Sequence, residues 1–321
     1  MPQTPIIALG GENLIDRVQT GTDAGGAPVF TNNPGGSPFN AAVALARQGG
    51  DAHYITPIST DEMGELLAGR LTDAGVTLAA PRRPEPTTLA IVTLDKGIPS
   101  YEFRRDGTAE RCVTQESLQA AMPTGALAFH LSGSLSLATG DDAKEWEAFF
   151  HAQKKAGLFV SLDPNVRASL IDDPDSYRTR LFGLFKSADL IKLSDEDFGW
   201  VYPDLDLAAA FHTLRASTDA GLVVLTKGPD GAEAMSKHHH VVIDAPEVPD
   251  LEDTIGAGDT FMGTLLATLA AQGGLTGDYL GSMGSDAITA LLRRAAKAAA
   301  LNCAQKGCNP PTLSELDAAL S

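Results

Sequence analysis

The 321-residue chain has few cysteines, few basic residues for its acids, and no long apolar run. Its three cysteines, Cys112, Cys303 and Cys308, are odd in number and too sparse for a disulfide framework. Cys303 and Cys308 are near neighbours, but no second Cys or His pair completes a zinc site, so ordinary thiols are expected. Lys and Arg total 24 against 41 Asp and Glu, a net charge of −17. So negative a chain is not expected to bind nucleic acid or an anionic membrane over a broad surface, although a small basic pocket for a phosphate is compatible with it. No stretch approaches the ~18 uninterrupted apolar residues of a membrane span. The longest candidate, residues 261–271, is short and carries Thr264 and Thr268. Residues 1–11 have no basic segment and too short an apolar run for a signal peptide, so a soluble, cytoplasmic protein is expected. There is no G-x-x-x-x-G-K-[ST] loop, and Gly10-Gly11-Glu12 does not make G-x-G-x-x-G, which counts against P-loop kinases and nicotinamide dehydrogenases.

What is present is a globular composition, 43% hydrophobic and 20% charged, long enough for a sizeable core. Residues 6–9 form an apolar run ending in Gly10-Gly11, as a buried strand running into a turn does. Ser37 is placed to cap a helix with Pro38 in its first turn, and Gly49 to end it. A strand is predicted over 53–58 and a helix over 62–74. Residues 88–94 and 100–105 read as a hairpin turning at Asp95-Lys96-Gly97. Further strands are predicted at 127–131, 158–162, 190–192 and 222–226. Helices are predicted at 141–155, 176–187, 206–217, 260–271 and 285–306. The alternation predicts βαβ units and a mostly parallel sheet. Two segments, 12–34 and 87–112, break that rhythm. They are expected to form a small β lid over the C-terminal sheet edge, where ligands of open α/β sheets bind. The core is then residues 1–11, 35–86 and 113–321. His238-His239-His240 reads as a loop entering a strand.

The sharpest motif is Asp253-Thr254-Ile255-Gly256-Ala257-Gly258-Asp259-Thr260-Phe261. Small residues before an apolar helix let backbone N–H groups converge, and the helix N-terminus adds about half a positive charge. Together they suit a phosphate. Asp259 at the mouth of such a hole is placed to take a proton from an alcohol while the N–H groups steady a transferring phosphoryl group. Its plainer reading is a helix cap.

This segment resembles the C-terminal signature of the ribokinase-like, PfkB family of sugar kinases. Gly35-Gly36-Ser37-Pro38-Phe39-Asn40-Ala41-Ala42 resembles the N-terminal signature of the same family, and the likeness extends over the whole chain. Gly11-Glu12-Asn13-Leu14-Ile15-Asp16, Asp163-Pro164-Asn165-Val166-Arg167, Asn309-Pro310-Pro311-Thr312 and the lid strand Tyr101-Glu102-Phe103-Arg104-Arg105 are similar to the fructokinase branch. The resemblance implies a three-layer α/β/α fold with a lid. It also implies an ATP- and Mg²⁺-dependent kinase, with D-fructose converted to fructose 6-phosphate as the leading activity. Ketodeoxygluconate, whose negative charge Arg104, Arg105 or Arg167 could meet, or ribose is the alternative acceptor, and a non-catalytic sugar sensor the remote one.

The matching positions imply roles. Asp16, Gly35, Gly36 and Asn40 would hold sugar hydroxyls, with Phe103 on the apolar sugar face and Arg104 and Arg167 as substrate-side cations. Asp259 would be the base, and Gly256, Ala257 and Gly258 the anion hole. Lys192, Thr226, Gly228, Gly231, Gly258 and Asn302 would meet the nucleotide. Asp197 and Glu196 stand where the family carries N-x-x-E and would organise Mg²⁺ through water, although Ser194 replaces Asn and Asp197 replaces Glu. Asp253 would neighbour a K⁺ ion. A homodimer through the lid is expected. Taken without the resemblance, Asp16 and Asn40 read as turn or first-turn residues, Phe103 as core cover, and Arg167 as a partner of Asp172 or Asp173.

Overall fold

The computed structural model describes residues 4–95, 98–138, 140–248 and 250–321. The strands are β1 (Ile6–Gly11), β2 (Leu14–Thr22), β3 (Pro28–Gly35), β4 (Asp51–Tyr54), β5 (Thr77–Leu78), β6 (Leu89–Asp95), β7 (Ile98–Arg104), β8 (Ala128–Ser132), β9 (Phe159–Asp163), β10 (Leu190–Ser194), β11 (Leu222–Thr226), β12 (Ala232–Met235) and β13 (His240–Ile243). The helices are α1 (Ser37–Arg47), α2 (Glu62–Asp73), α3 (Gln115–Ala121), α4 (Leu135–Ala138), α5 (Asp141–Lys155), α6 (Pro174–Ser187), α7 (Asp195–Val201), α8 (Leu207–Ser217), α9 (Ala257–Ala271), α10 (Gly277–Ser282), α11 (Ser285–Cys303) and α12 (Leu313–Leu320).

A nine-stranded sheet runs in the order β13-β12-β11-β10-β9-β8-β1-β4-β5. Its pairings from β11 through to β5 are parallel. The two short strands β12 and β13 extend it antiparallel. Helices cover both faces because the strands bury side chains on both. Ala128, Phe159 and Leu190 face the core shared with α1, α9 and α11. Phe129, Val160 and Ile191 face the opposite core, which holds Trp146 of α5 and Tyr177 of α6. Such two-sided burial is why these strands read as continuous apolar runs.

Strand order reverses between β1 and β8, where Gly11 pairs with Ser132. Crevices of this kind at the carboxyl ends of strands are where open α/β sheets take ligands. Strands β2, β3, β6 and β7 form a separate four-stranded sheet, entered directly from β1. Within it β2 and β6 run parallel, and the outer pairs β2–β3 and β6–β7 antiparallel. The expected 88–105 hairpin is β6 and β7; Lys96 and Gly97 of its turn lie outside the described residues. No helix among the described residues is long and apolar enough to cross a membrane.

Several boundaries differ from the sequence reading. Ser37 does not cap α1: the cap position is Gly36, at φ 116, and the Ser37 hydroxyl is committed elsewhere. The 53–58 strand ends at Tyr54, and the 285–306 helix at Cys303. The β12–β13 pair was not expected, because the alternation pattern looks only for parallel partners.

Candidate active site

Asp259 lies in the first turn of α9, with Gly256 in the cap position. Its carboxylate does not cap its own helix. Oδ1 accepts the Ser37 hydroxyl at 2.7 Å, and Oδ2 accepts the Asn40 amide at 2.8 Å. Ser37 also touches the Ser132 hydroxyl. A hydroxyl has one proton, and Ser37 gives its own to Asp259, so Ser132 donates to Ser37. A hydrogen-bonded line thus runs from the end of β8 through α1 to α9. Burial pushes Asp259 above the usual carboxylate range, while Asn40, Ser37, Lys192 and Arg167 oppose the rise.

The loop before Asp259 is built for a side-chain-free approach. Gly256 sits at φ 74, and a Cβ on it would lie 2.3 Å from Cys308 Sγ. Gly256→Ala is therefore expected to lose about 1–3 kcal/mol of stability from the backbone strain, and some turnover with it. An unchanged melting temperature would show that the loop tolerates a side chain. Asn302 backs this loop: it is fully buried, its amide donates to Ile255 O at 2.8 Å, and its oxygen accepts Asn309 N–H at 2.8 Å. Both ends of its side chain are thus engaged inside the protein, in contrast to the expected nucleotide contact. Asp253 likewise accepts the N–H groups of Ile255 and Gly307, each at 3.0 Å.

Beneath Gly258 lies Lys192 of β10. A Cβ on Gly258 would stand 3.4 Å from Lys192 Nζ. Lys192 pairs with Asp163 at 2.7 Å, and both side chains are buried. Burial disfavours the lysine charge, but the carboxylates of Asp163, Asp197 and Asp259 together outweigh burial and hold Lys192 above the usual range. Burial lifts Asp163 to about 6, against the pull of Lys192. Asp163 Oδ1 is buried and takes no hydrogen bond among the described residues. Asp197 accepts Ser194 N–H at 2.8 Å and Val166 N–H at 2.7 Å, closing a capping box on α7. Glu196 beside it is exposed. Among the described residues, no three His, Cys, Asp or Glu side chains are grouped to hold a metal ion directly.

Among the residues expected to hold the sugar, Asp16 of β2 is lifted to about 6 by burial, with Arg167 opposing the rise. A Cβ on Gly35 would lie 3.0 Å from Asp16 Oδ2, so the glycine leaves that carboxylate room. Arg167 is exposed and forms no ion pair with Asp172 or Asp173 among the described residues; Asp173 instead caps α6. Its backbone N–H donates to Ser134 Oγ at 2.9 Å. Asn165, at φ 44, is the one described non-glycine residue with positive φ, and it shapes this turn. The structure does not bring Arg104 and Arg105 into the same group. Arg104 pairs with Glu102, both largely exposed, while Arg105 is sunk between Glu110 and Asp142 at 2.7 and 2.6 Å. Phe103 is 36% exposed, so it is not a core residue.

The residues expected to meet the nucleotide follow β11. Thr226 ends that strand, Gly228 opens a short 3-10 turn, and Gly231 at φ 90 passes against Ile243 O. Lys227 is held by Glu233 at 2.8 Å. Sequence reasoning missed Ser37 and Ser132 as site residues. The available signal was Ser132 directly following the predicted 127–131 strand; its place beside Gly11 at the same sheet edge is visible only in the fold.

Residues 11–315 match the pfkB family of carbohydrate kinases. A fructokinase from Rhizobium leguminosarum bv. trifolii is 35% identical over 281 residues, covering 87% of this chain and 84% of that protein. The crystal structure of a fructokinase with bound ATP from Xylella fastidiosa superposes with a TM-score of 0.86 at 28% identity, over 99% of this chain and 98% of that one. A fructokinase from Vibrio cholerae O395 with fructose, ADP and calcium ion bound gives 0.82 at 25% identity, over 99% of each chain. With a serine- and asparagine-held carboxylate at a glycine-led helix N-terminus and a family match over most of its length, the chain belongs to the pfkB family of carbohydrate kinases.

Proposed function

We propose that this enzyme transfers the γ-phosphoryl group of ATP to D-fructose, giving fructose 6-phosphate. The observation that carries the reading is Asp259, fixed by Ser37 and Asn40 at the N-terminus of α9. Asp259 takes the proton of the acceptor hydroxyl, and its raised affinity for a proton favours that step. The N–H groups of Gly256, Ala257 and Gly258 face the transferring phosphoryl group, and Lys192 beneath them adds positive charge. Thr226, Gly228 and Gly231 form the turn that receives the nucleotide. Asn302 supports the anion-hole loop from behind. Asp16, Gly35, Gly36 and Asn40 bind the sugar, with Phe103 covering it.

The donor set fits Mg²⁺ held largely by waters and phosphates, with the free Glu196 carboxylate, Asp197 and the unpartnered Asp163 oxygen as outer partners. When bound, Mg²⁺ neutralises phosphate charge. Asp253 spends its oxygens on backbone N–H groups, so a K⁺ ion beside it would draw mainly on carbonyl oxygens. Residues 12–34 and 87–112 act as the lid that excludes water. The outer edges of β3 and β7 are unpaired among the described residues, and we propose that they support a homodimer, which sedimentation would detect.

A neutral sugar fits better than ketodeoxygluconate. Of three candidate cations, Arg105 is neutralised by two buried acids and Arg104 is paired at the surface, leaving Arg167. Coupled ADP release with MgATP across fructose, ribose and ketodeoxygluconate, with and without K⁺, tests the assignment. A dominant response to another sugar overturns fructose, and sugar binding without ADP release points to a sensor. Asp16→Ala should raise the fructose KM about 10–100-fold while leaving the ATP KM within twofold. Equal losses for both substrates would remove Asp16 from the sugar subsite.

A further inference from the structure

One buried acid at this crevice has no role in the reading above. Glu12 follows β1 at the strand-order reversal, where the chain crosses into the small sheet. It is 7% exposed. Oε2 accepts Leu135 N–H at 2.6 Å, and the other oxygen takes no hydrogen bond among the described residues. The Gly133 backbone makes room for the side chain: a Cβ there would fall 2.5 Å from Glu12 Cδ. Gly36 packs against the Glu12 main chain instead, where a Cβ would fall 2.8 Å from its carbonyl oxygen. Satisfying one N–H of a single-turn helix does not require a carboxylate in so crowded a place. Glu12, Asp16 and Asp259 all lie within electrostatic reach of the Arg167 guanidinium.

We propose that Glu12 is a further specificity-determining residue, whose free carboxylate oxygen accepts a hydrogen bond from one hydroxyl of the sugar held by Asp16. The inference rests on the sugar-kinase reading and deepens it. An acceptor on a largely buried side chain, left without a partner when substrate closes over it, penalises any substrate lacking the matching hydroxyl. The ionised form is the stronger acceptor, so affinity depends on its charge. Burial and Glu110 lift Glu12 to about 7, against Leu135 N–H, Arg105 and Arg167; Tyr54 of β4 and Tyr177 of α6 also lie within electrostatic reach. Fructose affinity therefore rises with pH through about 7 and levels off above it. Asp16, which titrates near 6, adds a lower limb.

The test is fructose binding by calorimetry from pH 5.5 to 8.5, in buffers of differing ionisation heat, with wild type and Glu12→Gln of matched melting temperature. Glutamine keeps an oxygen for Leu135 N–H but cannot ionise. Wild type should show an affinity limb near 7 with proton release below it. The variant should lose that limb, keep the one near 6, and raise the fructose KM about tenfold with the ATP KM unchanged. If wild type binds and phosphorylates fructose but shows no limb near 7, or the variant matches it throughout, Glu12 is structural and the inference falls alone. The wild-type profile decides this even if the variant fails to fold. If wild type neither binds nor phosphorylates fructose, the kinase reading falls and takes the inference with it.

Discussion

Asp259→Asn should lower kcat by about 10²–10⁴-fold, the usual worth of a positioned general base. The substitution is isosteric and removes a buried charge, but its amide nitrogen faces a donor and forfeits one of the two hydrogen bonds, so the melting temperature should change by only a few degrees. Fructose binding should change by only a few fold, because Ser37, Asn40 and Asp16 remain. Steady-state ADP release beside calorimetric binding checks both halves. The reason for expecting so large an effect is the geometry around the carboxylate: each oxygen already accepts one side-chain hydrogen bond, at 2.7 and 2.8 Å. Those bonds orient it without supplying a substitute base. Near-normal turnover would remove Asp259 from the chemistry.

The second large effect is expected from Lys192→Met. The change leaves the Asp163 carboxylate buried without its cation, and breaking such a pair costs about 3–5 kcal/mol. The sign of its pH dependence follows from Asp163, which is already lifted to about 6. Without the lysine it rises further, so the folded variant binds a proton that the unfolded chain releases. Its stability therefore falls as pH rises above the ordinary aspartate range, and the deficit is greatest near pH 8 and small near pH 5. Denaturant midpoints at the two pH values measure this. Adding Asp163→Asn should restore most of the stability but not the ATP affinity, since the charge under Gly258 is still missing. Recovery of both would make the pair purely structural.

Most of the architecture was legible because its signals are local. Helix α5 and strand β11 fall where periodicity put them, since caps, turns and two-sided apolar runs are written in adjacent residues. The glycine-led start of α9 was legible for the same reason. What was not legible depends on neighbours remote in sequence. Ser37 looks like a helix cap to any local rule, yet its hydroxyl serves a carboxylate 222 positions away. Asn302 matches a ligand position but is consumed by Ile255 and Asn309. Arg105 reads as a free cation until Glu110 and Asp142 are brought against it. In each case a polar group found its partner through the tertiary fold, which composition and spacing do not encode.

The contact between α1 and α9 has a consequence in time rather than in energy. Gly263 lets α9 approach α1 so closely that a Cβ there would lie 2.6 Å from Ala41 O. Asn40 and Asp259 thus ride on one stiff pair of helices, while Asp16 rides on the small sheet. In the proposed lid role, movements of that sheet would belong to the microsecond-to-millisecond range of collective motions, whereas the helix pair is locked by backbone contact. Solvent friction acts on the first and hardly on the second. A viscous cosolvent should then slow sugar capture and product escape while leaving the phosphoryl-transfer step at its own pace.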